Sequence, residues 1–121
     1  MIRIAIAGLQ KDRIARSVQQ AGGDRVEVTI TSDMDAARKV KNGQADYYIG
    51  ACNSGGGAAL SIAIGLLGYT RCATVAKSGG KPDAGHIDEL VRQGTVAFGI
   101  AEESIEAATA YLIDSLLKKH A

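Results

Sequence analysis

Apolar positions along this chain follow two spacings that trade places five times. Five short runs, Ile2 to Gly8, Val26 to Thr31, Ala45 to Cys52, Cys72 to Ala76 and Thr95 to Ile100, are continuous or alternating and predict strands. Between and after them the spacing lengthens to three and four. Lys11 to Ala21 sets Ile14 and Val18 one turn apart, with Gly22-Gly23 as a C-cap. Ser32 or Asp33 caps a second helix whose Met34, Ala37 and Val40 share a face, and Asn42-Gly43 ends it. A third helix runs from about Gly57 to Leu67 and stops at Gly68. A fourth spans Ala84 to Gln93, with Ile87, Leu90 and Val91 inward and Gly94 closing it. A fifth, Glu102 to Lys119, aligns Ile105, Thr109, Leu112 and Leu116, and its acidic start and basic end suit the helix dipole. Strict alternation of this kind predicts one α/β domain over residues 1–121. The expected architecture is three-layer and flavodoxin-like or Rossmann-like. It holds a five-stranded parallel sheet of order 2-1-3-4-5 with helices on both faces.

Composition narrows the function classes. With 14 basic against 13 acidic residues and a formal charge of +1, there is no electrostatic case for nucleic acid. The longest apolar stretch, Ala58 to Tyr69, falls short of the roughly 20 residues of a membrane span. The first residues run straight into strand alternation rather than a signal peptide, so a cytoplasmic protein that does not span a membrane is expected. Cys52 and Cys72 make no disulfide framework and are too isolated to suggest a metal site.

Ligands of such sheets bind at the carboxyl ends of the strands where the order reverses, here between the first and third strands. After the first strand come Gly8-Leu9-Gln10-Lys11, a tight exit ending in a cation. After the third come Cys52-Asn53-Ser54-Gly55-Gly56-Gly57, leading directly into a helix. Three consecutive glycines are costly to order, and a close backbone approach to a phosphate or carboxylate explains that cost. Relief of crowding in a tight strand-helix turn explains it as well. Asn53 and Ser54 can add side-chain hydrogen bonds. No Lys-Ser/Thr pair follows the glycines and no GxGxxG follows the first strand, so neither a nucleotide P-loop nor a dinucleotide cofactor is expected. Cys52 stands beside a helix N-terminus that favours a thiolate, as a nucleophile or general base; the bland alternative is a small apolar residue closing the strand. In the loop after the fourth strand, Lys77 and Lys81 can pair with a bound anion while Gly79-Gly80 let the loop close; an ordinary solvated loop is the equal alternative. His86 fits an exposed position near a helix start, Cys72 fits the core, and Tyr47 and Tyr48 point to opposite faces of their strand, where packing accounts for them.

The segment Asp46-Tyr47-Tyr48-Ile49-Gly50-Ala51-Cys52-Asn53-Ser54-Gly55-Gly56-Gly57 and its continuation to Ala63 resemble the YhfU-like family of uncharacterised bacterial proteins. The resemblance extends over the chain, including Ala7-Gly8-Leu9-Gln10 and Val96-Ala97-Phe98-Gly99. It implies a small cytosolic companion of a membrane transport protein and metabolic enzymes. Val40 to Asp46 followed by Cys52-Asn53-Ser54-Gly55 is also similar to ribose-5-phosphate isomerase B. That likeness implies Cys52 as the base that removes a sugar proton, with Ser54, Gly55 and Gly57 lining the oxyanion site. The isomerases carry an Asp-His pair where this chain has Leu9-Gln10, and their phosphate-binding arginines have no clear counterpart here. Ribose-5-phosphate isomerase activity itself is therefore not expected.

The helix at 58–67 is apolar all round, whereas a surface helix keeps one polar face. A homodimer burying this helix against its symmetry mate is the simplest cover. The expected function is binding of a small anionic metabolite, a sugar phosphate or carboxylate, at the turn after the third strand. Gly8, Gln10, Lys11, Asn53, Ser54, Gly55, Gly56, Gly57, Lys77 and Lys81 would contact it, and Cys52 would abstract a proton next to a carbonyl. The alternative is a non-enzymatic cytoplasmic subunit docking onto a membrane transporter or metabolic enzyme.

Overall fold

A computed structural model describes residues 1–53 and 58–121, the side chains of Ala58 and Ala59 excepted. Strands and helices alternate as β1 (Ile2–Gly8), α1 (Lys11–Gly22), β2 (Val26–Ile30), α2 (Asp33–Lys41), β3 (Tyr47–Cys52), α3 (Ala58–Leu67), β4 (Cys72–Ala76), α4 (Ala84–Arg92), β5 (Ala97–Ala101) and α5 (Ile105–Lys119). Ser32 caps α2, its hydroxyl accepting from the Asp35 N–H at 3.2 Å. Asp83 caps α4, taking the N–H groups of Gly85 and His86. The segment from Glu102 to Ser104 is a short 3-10 turn, so α5 proper begins three residues later than its acidic start suggests.

All five strands are parallel, and their order is 2-1-3-5-4. This corrects the expected 2-1-3-4-5: β5 lies between β3 and β4. Burial explains it. Every residue of β5 is buried, as a central strand requires, whereas Cys72, Ala73 and Thr74 of β4 are half-exposed, as an edge strand tolerates. The correction moves a helix. A right-handed return from β4 to β5 runs in the same sense as β1 to β2, which places α4 on the face of α1. The packing agrees: α5 sits against both α1 and α4, and α2 packs on α3.

The two faces of the sheet are unlike. Toward α1, α4 and α5 it presents Ile2, Ile4, Ile6, Tyr47, Ile49, Phe98 and Ile100. Toward α2 and α3 it presents Ala5, Ala7, Tyr48 and Ala97, met by Ala36, Ala37, Leu60 and Ala63. Ala7, Gly50 and Gly99 are register partners in one row across three strands. This face is therefore paved with methyls and hydrogens, and Tyr48 is the one aromatic in its cluster.

Candidate functional site

The carboxyl edge is organised around β3. Each of its two neighbours, β1 and β5, sends its following helix to one face of the sheet, while α3 leaves for the other. The end of β3 is thus flanked by two diverging connections, the geometry that opens a crevice in doubly wound sheets.

At the β1 side the approach is very close. The Leu9 N–H donates to the Ala51 carbonyl at 3.0 Å, and a Cβ on Gly8 would stand 2.5 Å from that carbonyl oxygen. Gly8 also has φ +86°, so glycine here is required by the chain itself. Gln10 then adopts a left-handed conformation as the N-cap of α1 and supplies no side-chain cap. The first N–H groups of α1, with exposed Lys11 among them, face the same edge as half-buried Cys52 and exposed Asn53. Gly8, Gln10, Lys11, Cys52 and Asn53 therefore stand on adjacent strand ends. Ser54, Gly55, Gly56 and Gly57 lie outside the described residues.

Lys77 and Lys81 are not beside them. The expected strand order set the loop after β4 next to β3; in the structure β5 intervenes, about 10 Å of sheet at the usual strand spacing. The loop is also tied down. The Gly79 N–H donates to Glu103 Oε1 at 2.7 Å, and that bond, with one from the Ser78 hydroxyl, holds the Glu103 carboxyl below its ordinary range. In place of the lysine loop, Ala101 is the register partner of Cys52, and Glu102 and Glu103 follow it. Acid at this edge is compensated nearby: the Arg13 guanidinium donates through two nitrogens to the two oxygens of Glu106, which lowers the Glu106 pKa. His86 is exposed near the start of α4.

A polar pair escaped the sequence reading. Tyr48, wholly buried, donates its hydroxyl to Asp33 Oδ1 at 2.5 Å. Burial first, then the Asp33 carboxylate, and then the nearby Cys52 and Cys72 thiols push the phenol pKa far up, so it stays a neutral donor. The signal was present in part: Tyr48 was assigned to its face by alternation, and Asp33 to a helix start. Nothing in either spacing joins them, because the bond depends on how α2 crosses the sheet.

Two open clefts lie elsewhere. One runs between α4 and α5 past Asp88, Arg92, Ser115 and Lys118; the other lies at the amino edge among Met1, Asp24, Arg25, Asp46 and His120. Their charges are largely spoken for, Lys118 by Asp88 and Asp114 and Asp46 by Arg3. Among the described residues no three His, Cys, Asp or Glu side chains gather as metal ligands, and no helix is long and apolar enough to cross a membrane.

Residues 2–116 match the model of a family described as protein of unknown function DUF2620. The chain belongs to that family. The uncharacterized protein YhfU of Escherichia coli (strain K12) is 48% identical over 116 residues, 96% of this chain and 99% of that protein, and YhfU of Shigella flexneri matches to the same extent. Among solved structures, this DUF2620 member is similar to ribose-5-phosphate isomerase B from Giardia lamblia, with TM-score 0.72 and 19% identity over 96% of this chain and 94% of that one. It is also similar to the type B ribose 5-phosphate isomerase of Trypanosoma brucei, with TM-score 0.73 and 21% identity over 98% and 86% of the two chains. At these identities the likeness establishes a shared fold, and the resemblance read from the sequence extends to the whole domain.

Proposed function

We propose that this protein binds a small anionic metabolite, a sugar phosphate or carboxylate, at the end of β3 in the cytoplasm, and that Cys52 abstracts a proton next to a carbonyl. The observation that carries this reading is the junction of β1 and β3. Their contact at Gly8 and Ala51 sets the uncapped start of α1, with Lys11, beside Cys52 and Asn53. N–H groups and a cation on one side and a thiol on the other suit an anion whose neighbouring C–H is to be ionised. Gly8 and Gln10 shape the floor, Ser54 and Gly55 to Gly57 complete the anion contacts, and Lys77 and Lys81 act only from across β5. That the solved structures sharing this fold are named as isomerases of ribose 5-phosphate supports a phosphorylated sugar as the first compound to try.

A second reading rests on α3. Ile62, Ile64, Leu66 and Leu67 are only partly buried, and Tyr69 just beyond is 77% exposed. A helix of this composition suits a contact with a second copy of the chain, or with a membrane transporter or enzyme.

Thermal unfolding against inorganic phosphate, ribose 5-phosphate and small carboxylates tests the first reading. A true ligand at about a hundredfold over its Kd adds roughly 2.7 kcal/mol. The shift should shrink in Lys11→Glu, an exposed charge reversal. No shift with any compound, in a sample that associates through α3, moves the function to the second reading.

A further inference from the structure

We propose that Asp33, held in place by Tyr48, is the charged group that sets the reactivity of Cys52. This rests on the reading of Cys52 as the reactive group and adds to it a positioning pair that lies outside the anion contacts.

The register carries the argument. Tyr48 and Cys52 are four residues apart on β3 and so share a face, the one covered by α2 and α3. Tyr48 pairs with Ala5, Ala51 pairs with Gly8, and Asp33 lies three residues beyond Ile30, the partner of Ile6. Asp33 therefore stands closer to the carboxyl edge than Tyr48 does, and the phenol must lean along the strand toward Cys52 to reach it. Between Tyr48 and Cys52 on this face β3 contributes only Gly50, flanked by Ala7 and Gly99, so no large sheet side chain separates phenol and thiol. The electrostatic coupling of the two groups agrees. A phenylalanine would fill the same volume. A hydroxyl kept in full burial has to be matched, and the match chosen is a carboxylate in the first turn of α2, where the helix N-terminus favours the anion.

The consequence is directional. Asp33 holds a negative charge over the end of the sheet and opposes a thiolate at Cys52, and the hydrogen bond from Tyr48 both fixes and attenuates that charge. Other ionisable groups reach this end from each neighbouring element: Asp35 from α2, Lys11 from α1, Glu102 and Glu103 after β5, and Lys77 after β4; Cys72 opens β4 at the level of Tyr48, away from this end. Thr31 donates to Asp35 and Glu103 accepts from Gly79, whereas Asp33 accepts from Tyr48, a group on the Cys52 face.

The test is the pH–rate profile of iodoacetamide alkylation at Cys52, read by mass spectrometry so that Cys72 is scored separately. Wild type, Asp33→Asn, Tyr48→Phe and the double variant are compared. Asparagine still accepts from the Tyr48 hydroxyl, so Asp33→Asn changes charge with little change of shape. The profile of Asp33→Asn should move to lower pH, with alkylation about threefold faster at neutral pH, the larger thiolate fraction being partly offset by lower intrinsic nucleophilicity. Tyr48→Phe should move it the other way, and the double variant should follow Asp33→Asn. Unchanged profiles in both single variants would reduce the pair to a structural pin. A Tyr48→Phe effect that survives in the double variant would show Tyr48 acting without Asp33 and overturn the proposal. Protection of Cys52 by inorganic phosphate, measured alongside, reports on the anion site alone, so a shifted profile without protection would keep the pair and remove the ligand.

Discussion

Among the described glycines, Gly8 is the one where a side chain meets both a positive φ and a backbone clash. Two costs add. The backbone at Gly8 has φ +86°, which a side chain adopts at a cost of about 1–2 kcal/mol. The new Cβ would also lie 2.5 Å from the Ala51 carbonyl oxygen and 3.0 Å from its nitrogen. Both are backbone atoms of the neighbouring central strand, so neither can swing aside as a flexible side chain would. Relief requires β1 and β3 to part at their ends, the kind of overpacking that costs about 1–3 kcal/mol. The total expected is about 2–5 kcal/mol, a large share of the roughly 5–15 kcal/mol that holds a domain together. Gly43→Ala is the internal control, because Gly43 has φ +76° with nothing within 4 Å of its would-be Cβ. Urea unfolding of wild type and both variants, with unchanged m-values, separates the terms: Gly43→Ala measures conformation alone, and Gly8→Ala should fall further by the steric part. Equal losses in the two variants would mean that the strand ends yield freely, and would refute the rigid β1–β3 junction on which the site is built.

Other predictions concern charged contacts. Burial alone would raise the Asp46 pKa, but hydrogen bonds from the Arg3 side chain and its backbone N–H outweigh that and hold it below the ordinary value. A depressed carboxyl stabilises the fold above its unfolded pKa and loses that contribution as the pH falls through the folded one. Urea midpoints of wild type and Asp46→Asn should therefore differ most near neutrality and converge below the ordinary aspartate range; a constant gap would contradict the pairing. Glu103→Gln should lower the amide protection factor of Gly79 several-fold, and acid should do the same to the wild type as Glu103 protonates, once exchange is referred to the intrinsic rate at each pH; unaltered protection would mean the loop after β4 is held by something else.

The strands and helices were legible because each carries its own period, and their ends because Ser32, Gly43 and Gly94 act locally; the Asp83 cap of α4 was not read. The strand order was not legible from alternation, since β4 and β5 are both short apolar runs and either can follow β3 in space. A signal did exist: Cys72-Ala73-Thr74-Val75-Ala76 is the more polar of the two, and a strand between two neighbours tolerates less polarity than one at the edge. Missing it placed Lys77 and Lys81 one strand too close to Cys52. Gly8, Gln10 and Lys11 stay next to the end of β3 because the exit of β1 neighbours that of β3 in either order. Tyr48 was given its face correctly, but its partner lies on another element, and only the crossing of α2 over a sheet face built of alanine and glycine brings Asp33 to it.

The position of β4 also bears on how the chain reaches this fold. β4 is hydrogen-bonded to β5 alone, and β5 is made after it. Until then the outer strand lacks its native partner, and the free edge on that side of the sheet is that of β3. Pairing β4 directly with β3 would yield the simpler 2-1-3-4 arrangement, with α3 on the same face of the sheet as in the native order. That arrangement is a competitor closed by a shorter loop, and non-local pairings form slowly. Refolding should accordingly pass through a trapped population that clears only when β4 releases β3 and lets β5 insert. Substitutions that weaken such a premature pair without touching the β4–β5 ladder would speed folding and leave the final stability unchanged.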